Sequence, residues 1–235
     1  MNNKQYVIVF MGDSITEGQY VEHSLRWSEL ISTSLMQKYD NFSSRFITIN
    51  SGISGETTRQ GLERFPKSVQ VHKPAIMTLQ FGLNDCNCWE TDNGYPRVSE
   101  LAYRYNLIEM IERSKLFGTK HIILSTNHKT LRKKILACGE NLEQRRVKYD
   151  KIVREVAKST NVTLCDMANH FDGLTNEELE SFLLPEPDLL HLSLEGHKFY
   201  ATILEPFIET ALNQLFENEN KKNDHFYTEQ KDLVI

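Results

Sequence analysis

Short apolar runs of β-rich composition alternate along this chain with longer segments of helical period, and that alternation constrains the fold more than any other feature. Parallel strands joined by crossover helices satisfy it, because a parallel pair cannot be closed by a tight turn and needs a long connection. Strands are expected at Tyr6–Met11, Phe46–Asn50, Ala75–Phe81, His121–Thr126 and Val162–Asp166. Helices are expected at roughly Leu25–Tyr39, Thr58–Val71, Ser99–Phe117 and Leu142–Ser159, with a last one from about Leu194 to Phe216. Gly118 stands where a C-cap glycine would end a helix, and Pro74 sits just ahead of a strand, where it interrupts no helix. The fold class is therefore α/β: a doubly wound, mostly parallel sheet covered on both faces.

At 235 residues, 40% hydrophobic and 25% charged, the chain has the composition of one soluble domain that needs neither a metal nor a disulfide staple. Residues 1–216 are read as that domain. Residues 217–235, rich in Asn, Glu and Lys and ending in Leu233-Val234-Ile235, are read as a polar C-terminal tail, either loose or docked on the body or on a second subunit. That leaves a homo-oligomer open. A formal charge of -5 gives no reason to expect nucleic acid or an anionic membrane as partner. The basic run Leu131-Arg132-Lys133-Lys134 and the pair Arg145-Arg146 read as solvated helix faces. The N-terminus from Met1 to Gln5 is polar, the apolar stretch Tyr6 to Met11 is too short for a signal peptide or a membrane span, and no later stretch is long enough. A cytoplasmic protein is expected, with Cys86, Cys88, Cys138 and Cys165 reduced and no metal site.

In open α/β sheets ligands gather beyond the carboxyl ends of the strands, so the residues that follow each strand are where chemistry is sought. The first such junction reads Gly12-Asp13-Ser14-Ile15. A serine on the first turn after a strand can offer its hydroxyl and its own backbone N–H to one point, although it can equally cap the next helix. The second, Ser51-Gly52-Ile53-Ser54-Gly55-Glu56-Thr57, has glycines that let the backbone approach a ligand, or that merely permit a tight turn. In the third, Gly82-Leu83-Asn84-Asp85, the Asn84 amide can point at a developing alkoxide, or serve the turn itself. A fourth element, Pro187-Asp188-Leu189-Leu190-His191, precedes the final helix. An aspartate three residues before a histidine can receive its Nδ1–H and leave Nε2 free to take a proton.

These four blocks, in this order from Gly12 to His191, resemble the GDSL or SGNH hydrolase family. The resemblance implies a flavodoxin-like three-layer α/β/α fold and ester hydrolysis through an acyl-serine, without a cofactor. Carried over position by position, it makes Ser14 the nucleophile, His191 the general base and Asp188 the residue that orients it. The oxyanion donors it implies are the Ser14 N–H, the Gly55 N–H and the Asn84 side chain. Gly55 is preferred to Gly52 because it lies in Ser-Gly-Glu-Thr, similar to the family's Ser-Gly-Asp-Thr. Two departures stand out: Ile15 replaces the usual leucine, and Leu189 replaces a frequent glycine, which bears on the turn that presents His191.

Among the other histidines, His72, His121, His170 and His197 are assigned to the surface or to helix packing. His128, at the end of the fourth strand, and Asp166, at the end of the fifth, are read as support for the site. Asp13, Trp89 and Tyr95 are expected to contact substrate, the last two from the segment Cys86 to Val98, which mixes aromatic rings with polar groups. That mixture suits a sugar-like alcohol better than a long acyl chain, and points to a short-chain acyl esterase, with deacetylation foremost. The same residues would serve an acyltransferase, a lipase or thioesterase of longer chains, or a silent carbohydrate-binding module on the same fold.

Overall fold

The computed structural model describes residues 4–40 and 44–232, the side chains of 220 and 222–232 excepted. Among them five strands form one sheet: β1 (Lys4–Gly12), β2 (Ser44–Gly52), β3 (Ile76–Gln80), β4 (His121–Ser125) and β5 (Thr163–Cys165), in the order β2-β1-β3-β4-β5. Every neighbouring pair is parallel. This is the flavodoxin-like order, and its direction reverses between β1 and β3. The central strands are buried on both faces, β3 along its whole length, which is why they read as continuous apolar runs rather than alternating ones.

The sheet lies between two helical layers. Against one face pack α2 (Trp27–Tyr39) and α8 (Leu194–Asp232), joined by the short α6 (Met167–Asp172) and α7 (Asn176–Phe182). Against the other lie α3 (Thr58–Ser68), α4 (Glu100–Leu116) and α5 (Leu142–Thr160). Helix α2 buries Trp27, Ile31 and Leu35, spaced by four, onto this core, and its Trp27 ring meets Phe10 of β1 and Tyr200 of α8. Starts are written locally: Thr57 with Gln60 and Asn141 with Gln144 form capping boxes, and Ser99 accepts from the Ala102 N–H.

Three sequence expectations are corrected. Leu131 to Lys134 lie in an irregular loop after β4, not on a helix, and Arg132 is engaged there by the chain near residue 188. Arg145 and Arg146 are on α5 but are buried rather than solvated, because Glu140, Glu143, Asp150 and Asp172 pair with them. The last helix does not end near Phe216: α8 continues to Asp232, and Glu219 accepts from the Tyr6 hydroxyl at 2.6 Å and pairs with Lys4. The apolar group Leu233-Val234-Ile235 lies outside the described residues.

Candidate active site

Strand register sets the site. Gly12 at the end of β1 is level with Gly52 on β2 and with Gln80 on β3, so the three turns that follow begin side by side at the switch point. Gly52 is required there by space: a Cβ on it would lie 2.1 Å from the Glu17 backbone nitrogen in α1 (Ser14–Glu17). This close packing holds the second turn against the helix that carries Ser14. Glu17 completes the tie by accepting from the Ser54 N–H at 2.7 Å and from the Ser54 hydroxyl.

Ser14 is the first residue of α1, and Asp13 caps it, Oδ1 accepting from the Ile15 N–H at 3.0 Å. The Ser14 N–H is therefore one of the orphan donors of a helix start and points outward. Ser14 Oγ lies 3.0 Å from His191 Nε2, and His191 Nδ1 lies 2.8 Å from Asp188 Oδ2. A carboxylate only accepts, so Nδ1 carries the ring proton and Nε2 accepts from the serine hydroxyl. Asp188 Oδ1 also accepts from the backbone N–H of Leu190 at 3.0 Å and of His191 at 2.6 Å, which folds the turn around the carboxylate. Burial acts to raise the Asp188 pKa, but those donations and the His191 ring outweigh it and hold the group below the usual carboxylate range.

The Gly55 turn and Asn84 are brought to the same edge. Gly55 has φ +77°, a region that glycine enters freely, and the space beside it is open. The Gly52 N–H is spent on Asn50 Oδ1 at 2.9 Å, whereas that of Gly55 has no acceptor among the described residues. Arg97 donates to the Gly55 carbonyl at 2.9 Å while its guanidinium lies over the Trp89 ring, 4.4 Å from the centroid. Asp85 locks the Asn84 turn to the start of α3, accepting from the Thr58 N–H at 2.9 Å and from its hydroxyl. Burial raises the Asp85 pKa to about 6 against those same bonds.

Asp13, expected to contact substrate, is turned away from solvent. It is completely buried, because it sits beneath Ser14 as the cap of α1, and burial pushes its pKa up to about 7, with Asp85 adding to the rise. Trp89 is 46% and Tyr95 64% exposed, and Trp89 walls a cavity of about 500 Å³ with Ile135 and Ala137. His128 supports the site: its Nε2 lies 2.7 Å from the Leu190 carbonyl, and burial lowers its pKa to about 4, so the ring is neutral and donates. Asp166 supports from farther away, accepting from Thr126 and Arg154. His197 packs in the core and accepts from the Trp27 N–H.

Two residues at the site escaped the sequence reading. Tyr20 sets the edge of its ring against His191, centroids 5.1 Å apart, and nothing in the sequence around it marks that contact. Arg132 donates to Asp188; a charged run just after a strand, on the catalytic side, was the available signal. Two cavities lie beside the turn that carries Asp188. One of about 590 Å³ is lined by Leu131, Leu136, Leu142, Pro187 and Leu189 with Lys133 and Lys134 at its rim, and a smaller one by Tyr20, Leu184, Pro185 and Asp188. Among the described residues no group of three His, Cys, Asp or Glu side chains is placed to hold a metal.

A hydroxyl, an imidazole and a carboxylate thus stand in hydrogen-bonded series at the switch point of the parallel sheet. The comparisons with known proteins agree at the level of family. The GDSL-like Lipase/Acylhydrolase family matches residues 10–199, and the chain belongs to that family. It is 28% identical over 212 residues to the uncharacterized lipoprotein YqeF of Bacillus subtilis, covering 80% of this chain and 84% of that one. It is 27% identical over 212 residues to an acetylxylan esterase of Geobacillus stearothermophilus, covering 83% and 90%. Among solved structures, a lipase/acylhydrolase from Enterococcus faecalis superposes with a TM-score of 0.69 at 25% identity, covering 87% of this chain and 96% of that one. No helix among the described residues is long and apolar enough to cross a membrane.

Proposed function

We propose that the protein is a serine esterase acting on short-chain acyl esters, acetyl esters of a carbohydrate-like alcohol foremost, through a covalent acyl-serine. The observation that carries this reading is the series Ser14 Oγ, His191 Nε2 and Nδ1, Asp188 Oδ2, at 3.0 and 2.8 Å, beside a Ser14 N–H with no acceptor among the described residues. Ser14 Oγ attacks the ester carbonyl carbon as its proton passes to His191 Nε2, and Asp188 stabilises the imidazolium that results. The tetrahedral oxyanion is held by the N–H groups of Ser14 and Gly55 and by the Asn84 amide. His191 returns the proton to the leaving alcohol, and the C–O bond breaks to leave the acyl-serine. A water deprotonated by the same ring then attacks the acyl carbon, and Ser14 leaves with the proton. No step calls for a cofactor.

The short-chain assignment is supported by the half-exposed Trp89 beside the oxyanion turn, a flat apolar face among polar groups, and by the similarity to an acetylxylan esterase. A longer acyl group is favoured by one observation, the apolar walls of the 590 Å³ cavity next to Asp188. A series of p-nitrophenyl esters from acetate to decanoate, assayed beside acetylated sugars, separates them. The proposal expects kcat/KM to be highest at acetate or propionate. A steady climb to eight carbons or more would contradict it and assign the cavity to the acyl chain.

A further inference from the structure

We infer that Arg132 is a positioning residue for the catalytic carboxylate; this rests on the Ser14-His191-Asp188 reading. Arg132 comes from the loop after β4, far in sequence from the turn it touches. Its Nε donates to the Asp188 backbone carbonyl at 2.6 Å and its Nη2 to Asp188 Oδ2 at 3.3 Å, the same oxygen that takes the His191 Nδ1–H. The guanidinium thus grips main chain and side chain of one residue, which fixes the rotation of the carboxylate that aims the histidine.

The same loop holds the next two carbonyls. The Leu131 N–H donates to Leu189 O at 2.9 Å, and the His128 Nε2–H to Leu190 O at 2.7 Å. Consecutive carbonyls at 188, 189 and 190 are therefore held by 132, 131 and 128. The turn needs holding, because Leu189 has φ +56°, a left-handed conformation that costs a residue with a Cβ about 1 kcal/mol or more. Leucine stands there, and the strap from the β4 loop keeps the geometry that a glycine would reach unaided.

Charge gives the second half of the inference. The groups that face His191 are Asp188 on its own turn, Arg132 and the neutral His128 from the β4 loop, Ser14, and the Tyr20 ring edge. Lys133, Glu180 and Glu186 line the cavity beyond. Arg132 is the cation that shares the Asp188 oxygen with the imidazole. Its charge answers the carboxylate that the imidazole also uses, so losing the cation would leave Asp188 Oδ2 held by His191 alone.

The test is kcat and KM for p-nitrophenyl acetate from about pH 5 to 9, for the wild type, Arg132→Ala, Arg132→Lys, Ser14→Ala and His191→Ala. Arg132→Ala is expected to lose about tenfold in kcat, the rate equivalent of one hydrogen bond to a charged group, with KM within about twofold. Arg132→Lys keeps the charge but not the two-point grip, so kcat recovers only in part. If Ser14→Ala and His191→Ala are inactive while Arg132→Ala matches the wild type, or loses only through KM with kcat unchanged, the role given to Arg132 is overturned and the reading of the site stands. If Ser14→Ala or His191→Ala retains hydrolysis, the reading of the site itself falls. Should Arg132→Ala not fold, an Arg132→Lys enzyme with wild-type kcat overturns the inference.

Discussion

Asp13 and Ser14 are neighbours in the chain with opposite fates. Ser14, although 6% exposed, keeps its hydroxyl within 3.0 Å of His191 Nε2, while Asp13 is wholly buried and caps the helix that Ser14 begins. A buried carboxyl whose pKa rises from 3.8 to about 7 holds its proton more tightly folded than unfolded. Its contribution to stability is therefore fully present below about pH 4 and is lost as pH rises through about 7. Asp13→Asn keeps a competent cap and removes the ionisation. Thermal melts across this range are expected to show the variant gaining on the wild type as pH rises from about 4 to 7, then a constant difference above it. A difference that does not change with pH would contradict the burial cost assigned to Asp13. The sequence marked Asp13 as a residue near chemistry but not which way it faced, because Gly-Asp-Ser reads the same whether the carboxyl caps or binds. Tyr20 was invisible for the corresponding reason: its contact with His191 is made across 171 positions by the fold alone.

At the scale of elements, the strands and long helices were legible because each carries its own period: all five strands fall within two residues of their expected ends. What the sequence lacked was the loops. Leu131-Arg132-Lys133-Lys134 has helical composition, but its backbone is committed to the turn at 188–190, and tertiary hydrogen bonds override the local preference. Helices α6 and α7 are only 6 and 7 residues long, too short to show a period. The segment Cys86 to Val98 was expected to overhang the pocket through its aromatic rings, and its arginine does something the composition did not announce. Arg97, stacked on Trp89, holds the carbonyl of Gly55, and so the peptide that follows the glycine proposed as an oxyanion donor. Deleting an oxyanion donor outright costs ~10²–10³ in turnover, and a donor left in place but loosened is expected to cost about tenfold. Arg97→Ala should show that loss in kcat with KM little changed, and unaltered steady-state kinetics would remove Arg97 from any account of the turn.

For the molecule as a whole, the topology does the gathering. In the order β2-β1-β3-β4-β5 the Gly52, Gly12 and Gln80 ends are adjacent, so blocks separated by tens of residues become one edge, and the last turn before α8 brings His191 to it. That is why four short motifs, each weak alone, specify a site when read together: the parallel sheet requires their strands to end on the same side. The cavities were beyond sequence reasoning, since their walls come from the loop after β4, the α7–α8 connection and the segment after Asn84 at once. The central claim is that Ser14 is the nucleophile this assembly activates. Treatment with a fluorophosphonate followed by intact-mass measurement and peptide mapping tests it most directly. The account predicts one adduct per chain, on the peptide containing Ser14, absent from His191→Ala at equal exposure and accompanied by loss of ester hydrolysis. An adduct on a different residue, or full hydrolysis by Ser14→Ala, would contradict it.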